Sequence, residues 1–222
     1  YKLTRGIWPE FHGKKVGVAT VHINRMYHNL ARVKEITPTE DVIDYEALRA
    51  AFTPGQIPDF VQRWKLPNEG DTDLLLFSAH GDDDQLFFAG LLPYYCALDY
   101  EVLVVYMTDH RNNVLNRIHE MLNGLWAVGV RTYPVFGSFH DFRIDDLQDT
   151  YDEYRYSYGT SRDDLQSFVV EQIRRFRPQV AVGHDLQGEY GHGMHMVYTD
   201  CLIKALDISN DPEQYPALAE KY

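Results

Sequence analysis

Cysteine is nearly missing from this chain: 222 residues contain two, Cys96 and Cys201. Both lie in segments that read as apolar helix faces, so they are expected as buried thiols and not as a disulfide framework or metal ligands. No apolar run approaches the ~20 residues of a membrane span. Basic residues are outnumbered, 21 against 33 acidic ones, for a formal charge of −12. That balance disfavours nucleic acid or an anionic membrane surface as partner and suits a neutral or cationic small molecule, or a sugar. There is no internal repeat, no low-complexity tract and no visible signal peptide. The chain opens at Tyr1, as a processed or trimmed product would. The missing leader therefore carries little weight, and the reading leans towards a secreted or cell-envelope setting rather than a cytoplasmic one.

What is present is alternation. A chain of this length can bury a sizeable core as one large domain, or as one domain with a small extension. Residues 1–70 read as a partly β extension, with a strand-like stretch over 14–23, a helix over 44–52 and turn chemistry at 67–71. From Asp71 onward, strands and helices take turns: strands at 74–79, 101–108, 132–136 and 179–183, the last read as buried like the first, and helices at 84–98, from about 161, and from about 193 to 206. Leu115, Ile118, Leu122, Leu125 and Val128 mark a further amphipathic helix. The acidic, tyrosine-rich stretch 141–158 reads as a solvated loop, or as a lid. The order predicts an α/β fold, a Rossmann-like parallel sheet flanked by helices, over 71–222.

Two dense polar clusters follow strands. The first is Ala79-His80-Gly81-Asp82-Asp83-Asp84 and the second Gly188-Glu189-Tyr190-Gly191-His192-Gly193-Met194-His195. Adjacent carboxylates repel unless something positive sits among them. Open α/β sheets place ligands at the carboxyl ends of their strands. His80 and Asp83 with a histidine of the second cluster would give the three protein ligands of a catalytic zinc site; another divalent metal would suit the same donors.

The first cluster resembles the AHPDDE signature of the PIG-L/LmbE-like N-acetylglucosaminyl deacetylases, and the second their YGHPDH-type signature. Thr108, Arg117 and Glu120 match the family's threonine and Arg-x-x-Glu helix. The resemblance covers about 71–222. It implies a zinc-dependent hydrolase that removes an acyl group from an N-acetylated amino sugar. It implies metal ligands His80, Asp83 and His195, a general base at Asp82, and His192 as oxyanion stabiliser or acid. Arg117 and Tyr190 would hold the substrate, and Asp141 follows a strand where it could bind a sugar hydroxyl. The family usually runs on past 211–216 to a further strand, so a longer native chain is expected.

This chain departs from the signatures. Gly81 and Asp84 replace Pro and Glu of the first, and Gly193 and Met194 replace Pro and Asp of the second. Losing the prolines should loosen both loops, and losing the second aspartate removes an orienting group for His192. His184, Asp185 and Glu189 are candidates for replacement contacts behind the ligands.

The loop 109–113 reads equally as pocket lining or solvated loop. His119 reads as filler, and Trp8, Trp64 and Trp126 read as core. Two other functions are open to the same residues. Asp82 and Asp84 fit the Asp-x-Asp pattern of a metal-dependent glycosyltransferase, and the altered neighbours admit a catalytically decayed carbohydrate-binding domain. A nucleotide-binding Rossmann domain is a third and disfavoured option, because aspartates stand where it needs a glycine-rich phosphate cradle.

Overall fold

The computed structural model describes residues 62, 64–70, 72–108 and 114–222. The expected extension up to residue 61, the loop 109–113 and the side chain of His119 lie outside the described residues. Four strands, β1 (Leu74–Ser78), β2 (Val102–Thr108), β3 (Val135–Phe139) and β4 (Val180–Val182), form one sheet in the order β3-β2-β1-β4. All three pairings are parallel, with Leu74 opposite both Val102 and Val180, and Val105 opposite Val135. Every residue of β1 and β2 is buried, as a central strand covered on both faces requires, and this explains their unbroken apolar runs.

Among the described residues the helices are α1 (Asp83–Leu86), α2 (Leu91–Ala97), α3 (Val114–Ala127), α4 (Leu147–Ser157), α5 (Arg162–Phe176), α6 (Gly193–Ile208) and α7 (Pro216–Lys221). Strand order runs one way from β1 to β3, then returns to the far side of β1 for β4. Right-handed crossovers therefore put α1 to α3 on one face and α4 and α5 on the other. One core joins Leu75, Phe77, Leu103, Val105 and Met107 to α4, α5 and α6 through Tyr154, Val169, Phe176, Val197 and Tyr198. The reversal between β1 and β4 leaves a crevice at their carboxyl ends, between the two polar clusters.

Four expectations need correction. The helix expected over 84–98 is two helices, because Pro93 lacks an N–H and its ring would clash one turn back; it is tolerated only in the first turn of α2. The third strand lies three residues later than expected, while Thr132 forms a single bridge with Lys65. Among the described residues β4 ends the sheet and is half-exposed, not buried. The stretch 141–158 contains α4. Asp146 caps it by accepting from the N–H groups of Gln148 and Asp149, and Thr150, Tyr151 and Tyr154 fall on one buried face. Its acidic residues occupy the other face, which is why the segment reads as solvated.

At its far end the domain is fastened by Arg174 of α5, 8% exposed. Its guanidinium donates to the carbonyls of Ser209, Asp211, Gln214 and Tyr215 at 2.7–2.9 Å. Arg174→Met keeps the apolar stem but strands these carbonyls. It is expected to lower the unfolding free energy in urea by about 2–4 kcal/mol. A loss under about 0.5 kcal/mol, the level of an ordinary surface change, would contradict this account.

Candidate active site

The chain leaves β1 through Ser78, whose hydroxyl donates to the carbonyl of His80 at 2.8 Å. Thr108, at the end of β2, donates its N–H and its hydroxyl to the Ala79 carbonyl. The loop then turns into α1. Asp83 Oδ2 accepts the His80 N–H at 2.8 Å and stands 3.0 Å from His80 Nδ1. From the other loop, His195, on the first turn of α6, brings Nε2 to 3.3 Å from Asp83 Oδ2 and 3.2 Å from His80 Nδ1. Three donor atoms at these mutual distances suit one ion with ligands at ~2.0–2.2 Å.

Two more histidines crowd the same place. His80, His192 and His195 form one set that could hold a metal ion; Asp83, His184 and His195 form another. Hydrogen bonding decides among them. His184 Nε2 accepts the Ala79 N–H at 2.9 Å, so its proton sits on Nδ1, 2.9 Å from Glu189 Oε2. His192 Nδ1 accepts the Met194 N–H at 3.3 Å, which leaves its proton on Nε2. Neither ring has a lone pair free for metal. His195 is the reverse: Nδ1 donates to Glu189 Oε2 at 2.7 Å, so Nε2 presents a lone pair. Of the three histidines of this loop, only His195 therefore keeps a lone pair facing Asp83 and His80.

Electrostatics follows the same division. Burial works against charge on His80, but the Asp141 and Asp83 carboxylates outweigh it and hold its pKa up at about 9. Burial would raise Asp83, yet His195 and His80 keep it well below the usual carboxylate range. Burial lowers His184 and keeps it neutral. Burial also opposes charge on Glu189, but the His184 hydrogen bond prevails and brings its pKa to about 2. His192 is pushed down to about 4 by burial and by the charges of His80, His195 and Arg143.

The eight residues singled out by sequence, His80, Asp82, Asp83, Arg117, Asp141, Tyr190, His192 and His195, all line one cavity of about 330 Å³. Asp82 is the N-cap of α1 but makes no cap hydrogen bond with its side chain. Its half-exposed carboxylate faces the Arg117 guanidinium at 3.1 Å. Asp141 stands 3.2 Å from His80 Nε2, beside that ring as much as beside the cavity. Tyr190, 69% exposed, rests 5.4 Å from Phe87 on a left-handed backbone (φ 59°), a conformation that costs a non-glycine residue about 1–2 kcal/mol. Asp84 is fully buried and bonded by Gln85, and burial lifts its pKa to about 6. Asp82 and Asp84 thus sit in opposite environments, which disfavours the glycosyltransferase alternative.

The departures from the signatures have local causes. A side chain at Gly81 would meet Met121 Sδ at 2.6 Å, so Met121 fills the space of the missing ring. Gly193 donates its N–H to the Ile144 carbonyl at 2.8 Å, and a Cβ there would meet Thr150 Oγ1 and, at 2.7 Å, the carbonyls of Ile144 and Asp146. The second loop is packed onto the start of α4, not loosened. Met194 is buried in the core, while His192 is oriented by the Met194 N–H and by stacking on His195 (4.8 Å, 9°). Sequence reading missed Arg143 on the cavity wall. The alternation that turns both Asp141 and Arg143 to one side was the signal available.

Residues 75–206, more than half of the chain, match the family described as PIG-L: GlcNAc-PI de-N-acetylase. The chain is 27% identical over 159 residues to a 1D-myo-inositol 2-acetamido-2-deoxy-alpha-D-glucopyranoside deacetylase of Streptomyces griseus, covering 63% of this chain and 50% of that protein. A protein of the same description from Geodermatophilus obscurus is 27% identical over 165 residues, covering 65% and 56%. The chain thus spans about half the length of the curated relatives it matches. In structure it is similar to a conserved protein of Thermus thermophilus (TM-score 0.51, 18% identity, 65% of this chain and 59% of that one), a likeness of fold.

Close packing at Gly193 makes a direct prediction. Gly193→Ala should cost about 1–3 kcal/mol of stability by urea unfolding, and Gly193→Pro more, since it also removes the N–H given to Ile144. A proline variant as stable as the parent would refute the packing described.

Proposed function

The chain belongs to the PIG-L family, and on that premise we propose that it is a zinc-dependent hydrolase that removes the N-acetyl group of an N-acetylated amino sugar. The observation that carries the reading is the triangle of His80 Nδ1, Asp83 Oδ2 and His195 Nε2, 3.0–3.3 Å apart, on the wall of the cavity that also holds Asp82 and His192. Two imidazoles and one carboxylate with an open side are the donor set of a hydrolytic zinc centre. When bound, the ion supplies Lewis acidity, polarising the amide carbonyl and activating water at neutral pH.

The residues divide the remaining work. Asp82, unspent on capping and facing solvent, accepts the proton of the attacking water. Arg117, between Asp82 and Glu120, keeps that carboxylate aimed. His192, neutral with its proton on Nε2, donates a hydrogen bond to the carbonyl oxygen as negative charge develops there. As the C–N bond breaks, the amine nitrogen takes up the proton from the acid–base groups of the cavity, and acetate departs. Tyr190 and Asp141 border the space left for the sugar. The deacetylase activity in the relatives' descriptions supports the same reaction class.

Metal analysis coupled to acetate release from a panel of N-acetylated sugars tests this reading. Asp82→Asn is expected to lower kcat by roughly 10²–10⁴-fold with metal content unchanged, and full activity in that variant would sink the assignment. A zinc-loaded protein that binds N-acetylated sugars without turnover would instead indicate a decayed site. A second outcome concerns the shared carboxylate. Glu189→Gln should weaken zinc binding by roughly 10–100-fold in a chelator competition; unchanged affinity would mean that Glu189 does not set the ligand face of His195.

A further inference from the structure

Beyond β3 the chain runs from His140 to Arg143 outside any regular element, with alternate side chains sent opposite ways. His140 and Phe142 both stack on Tyr158, at 4.2 Å and 5.4 Å with interplanar angles of 21° and 11°. Tyr154 packs its edge on Phe142 and donates its hydroxyl to the His140 carbonyl at 2.9 Å. The even residues are thereby clasped by the tyrosines of α4 and its end. The odd ones, Asp141 and Arg143, face the cavity. A short rigid arm results, and the tyrosine-rich stretch builds it.

Arg143 differs from the other guanidinium on that wall. Arg117 has both terminal nitrogens engaged, Nη2 with Asp82 and Nη1 with Glu120. Arg143 is paired only through Nε, 3.2 Å from Asp145, and is 60% exposed. Among the described residues its two terminal amino groups have no hydrogen-bond or ion-pair partner, while Arg143 lines the cavity. A planar fork of N–H donors matches a phosphate or carboxylate in two-point contact. Its charge is also close enough to be felt at His192. The chain as a whole is acidic, but the wall combines three carboxylates with two guanidinium groups. A divalent ion in the site would leave that wall positive.

We propose that Arg143 is a specificity-determining residue that selects amino-sugar substrates carrying an anionic oxygen group, phosphate or carboxylate, over neutral ones. The inference rests on the deacetylase reading above and names the substrate class of the same site. Tyr158 is its positioning residue, acting through the stack on His140 and Phe142.

The test compares N-acetylglucosamine with its 1-phosphate, its 6-phosphate and N-acetylmuramic acid, measuring KM and kcat for each by acetate release. The phosphates and the carboxylate separate the two sources of charge. In the parent protein at least one anionic sugar should show a KM below that of the neutral sugar by about ten- to hundredfold. Arg143→Ala should abolish that advantage and Arg143→Lys should keep part of it. Tyr158→Ala should lose the advantage as Arg143→Ala does, and Tyr158→Phe, which preserves the stacking ring, should retain it. Equal KM values in the parent, or an Arg143→Ala penalty shared equally by the neutral sugar, overturn the proposal. If no sugar is hydrolysed, the deacetylase reading fails, while calorimetric binding of glucosamine 1-phosphate and 6-phosphate still judges the arm. Weaker binding of either to Arg143→Ala than to the parent upholds it, and equal binding of both overturns it.

Discussion

One carboxylate oxygen, Glu189 Oε2, organises the candidate site. It accepts from His184 at 2.9 Å and from His195 at 2.7 Å, and each bond decides where a proton sits. On His195 it frees the nitrogen that faces Asp83 and His80. On His184 it frees the nitrogen that receives the Ala79 N–H, which ties the end of β1 to the loop after β4. Two similar rings, stacked 4.0 Å apart, thus acquire different tasks from one acceptor. One is fitted to hold an ion and the other holds the sheet's edge in register with the site.

The topology explains why these pieces meet. Strand order reverses between β1 and β4, so neither crossover covers the space beyond their carboxyl ends. The two clusters extend into that gap, and the β3–α4 connection closes it from the side through the Gly193–Ile144 hydrogen bond. The same bond replaces what a proline would contribute in the related signature. Rigidity comes here from a backbone contact between loops and not from a ring within one.

Much of this was legible in the sequence because it depends on local patterns. The apolar runs of β1 and β2 have no other reading than covered strands, and the placing of His, Asp and Glu after strands points to one rim of a sheet. What could not be read depends on partners distant in sequence. α4 looks solvated until Tyr151 and Tyr154 are seen to be buried against α6. Glu189 could be named from sequence as a contact behind the ligands; that a single one of its oxygens serves both His184 and His195 could not. Pro93 breaks the first crossover helix in a way that propensity alone locates poorly, since proline is allowed in a first turn. The assignment of His184 and His192 away from the metal rests on single N–H contacts, which leave no trace in composition or spacing.

The separation of the two clusters has a consequence for how the chain is made. His80 and His195 lie 115 positions apart, and β4, which pairs with β1, is made only after β2 and β3. A nascent chain that has not yet yielded α6 therefore holds His80 and Asp83 without their third donor. Two donors hold an ion less firmly than three, so on the proposed ligand set the incomplete site would be a weak competitor for metal during synthesis. Tight capture would then wait until β4 and α6 are in place, and metal occupancy would report that the topology has closed.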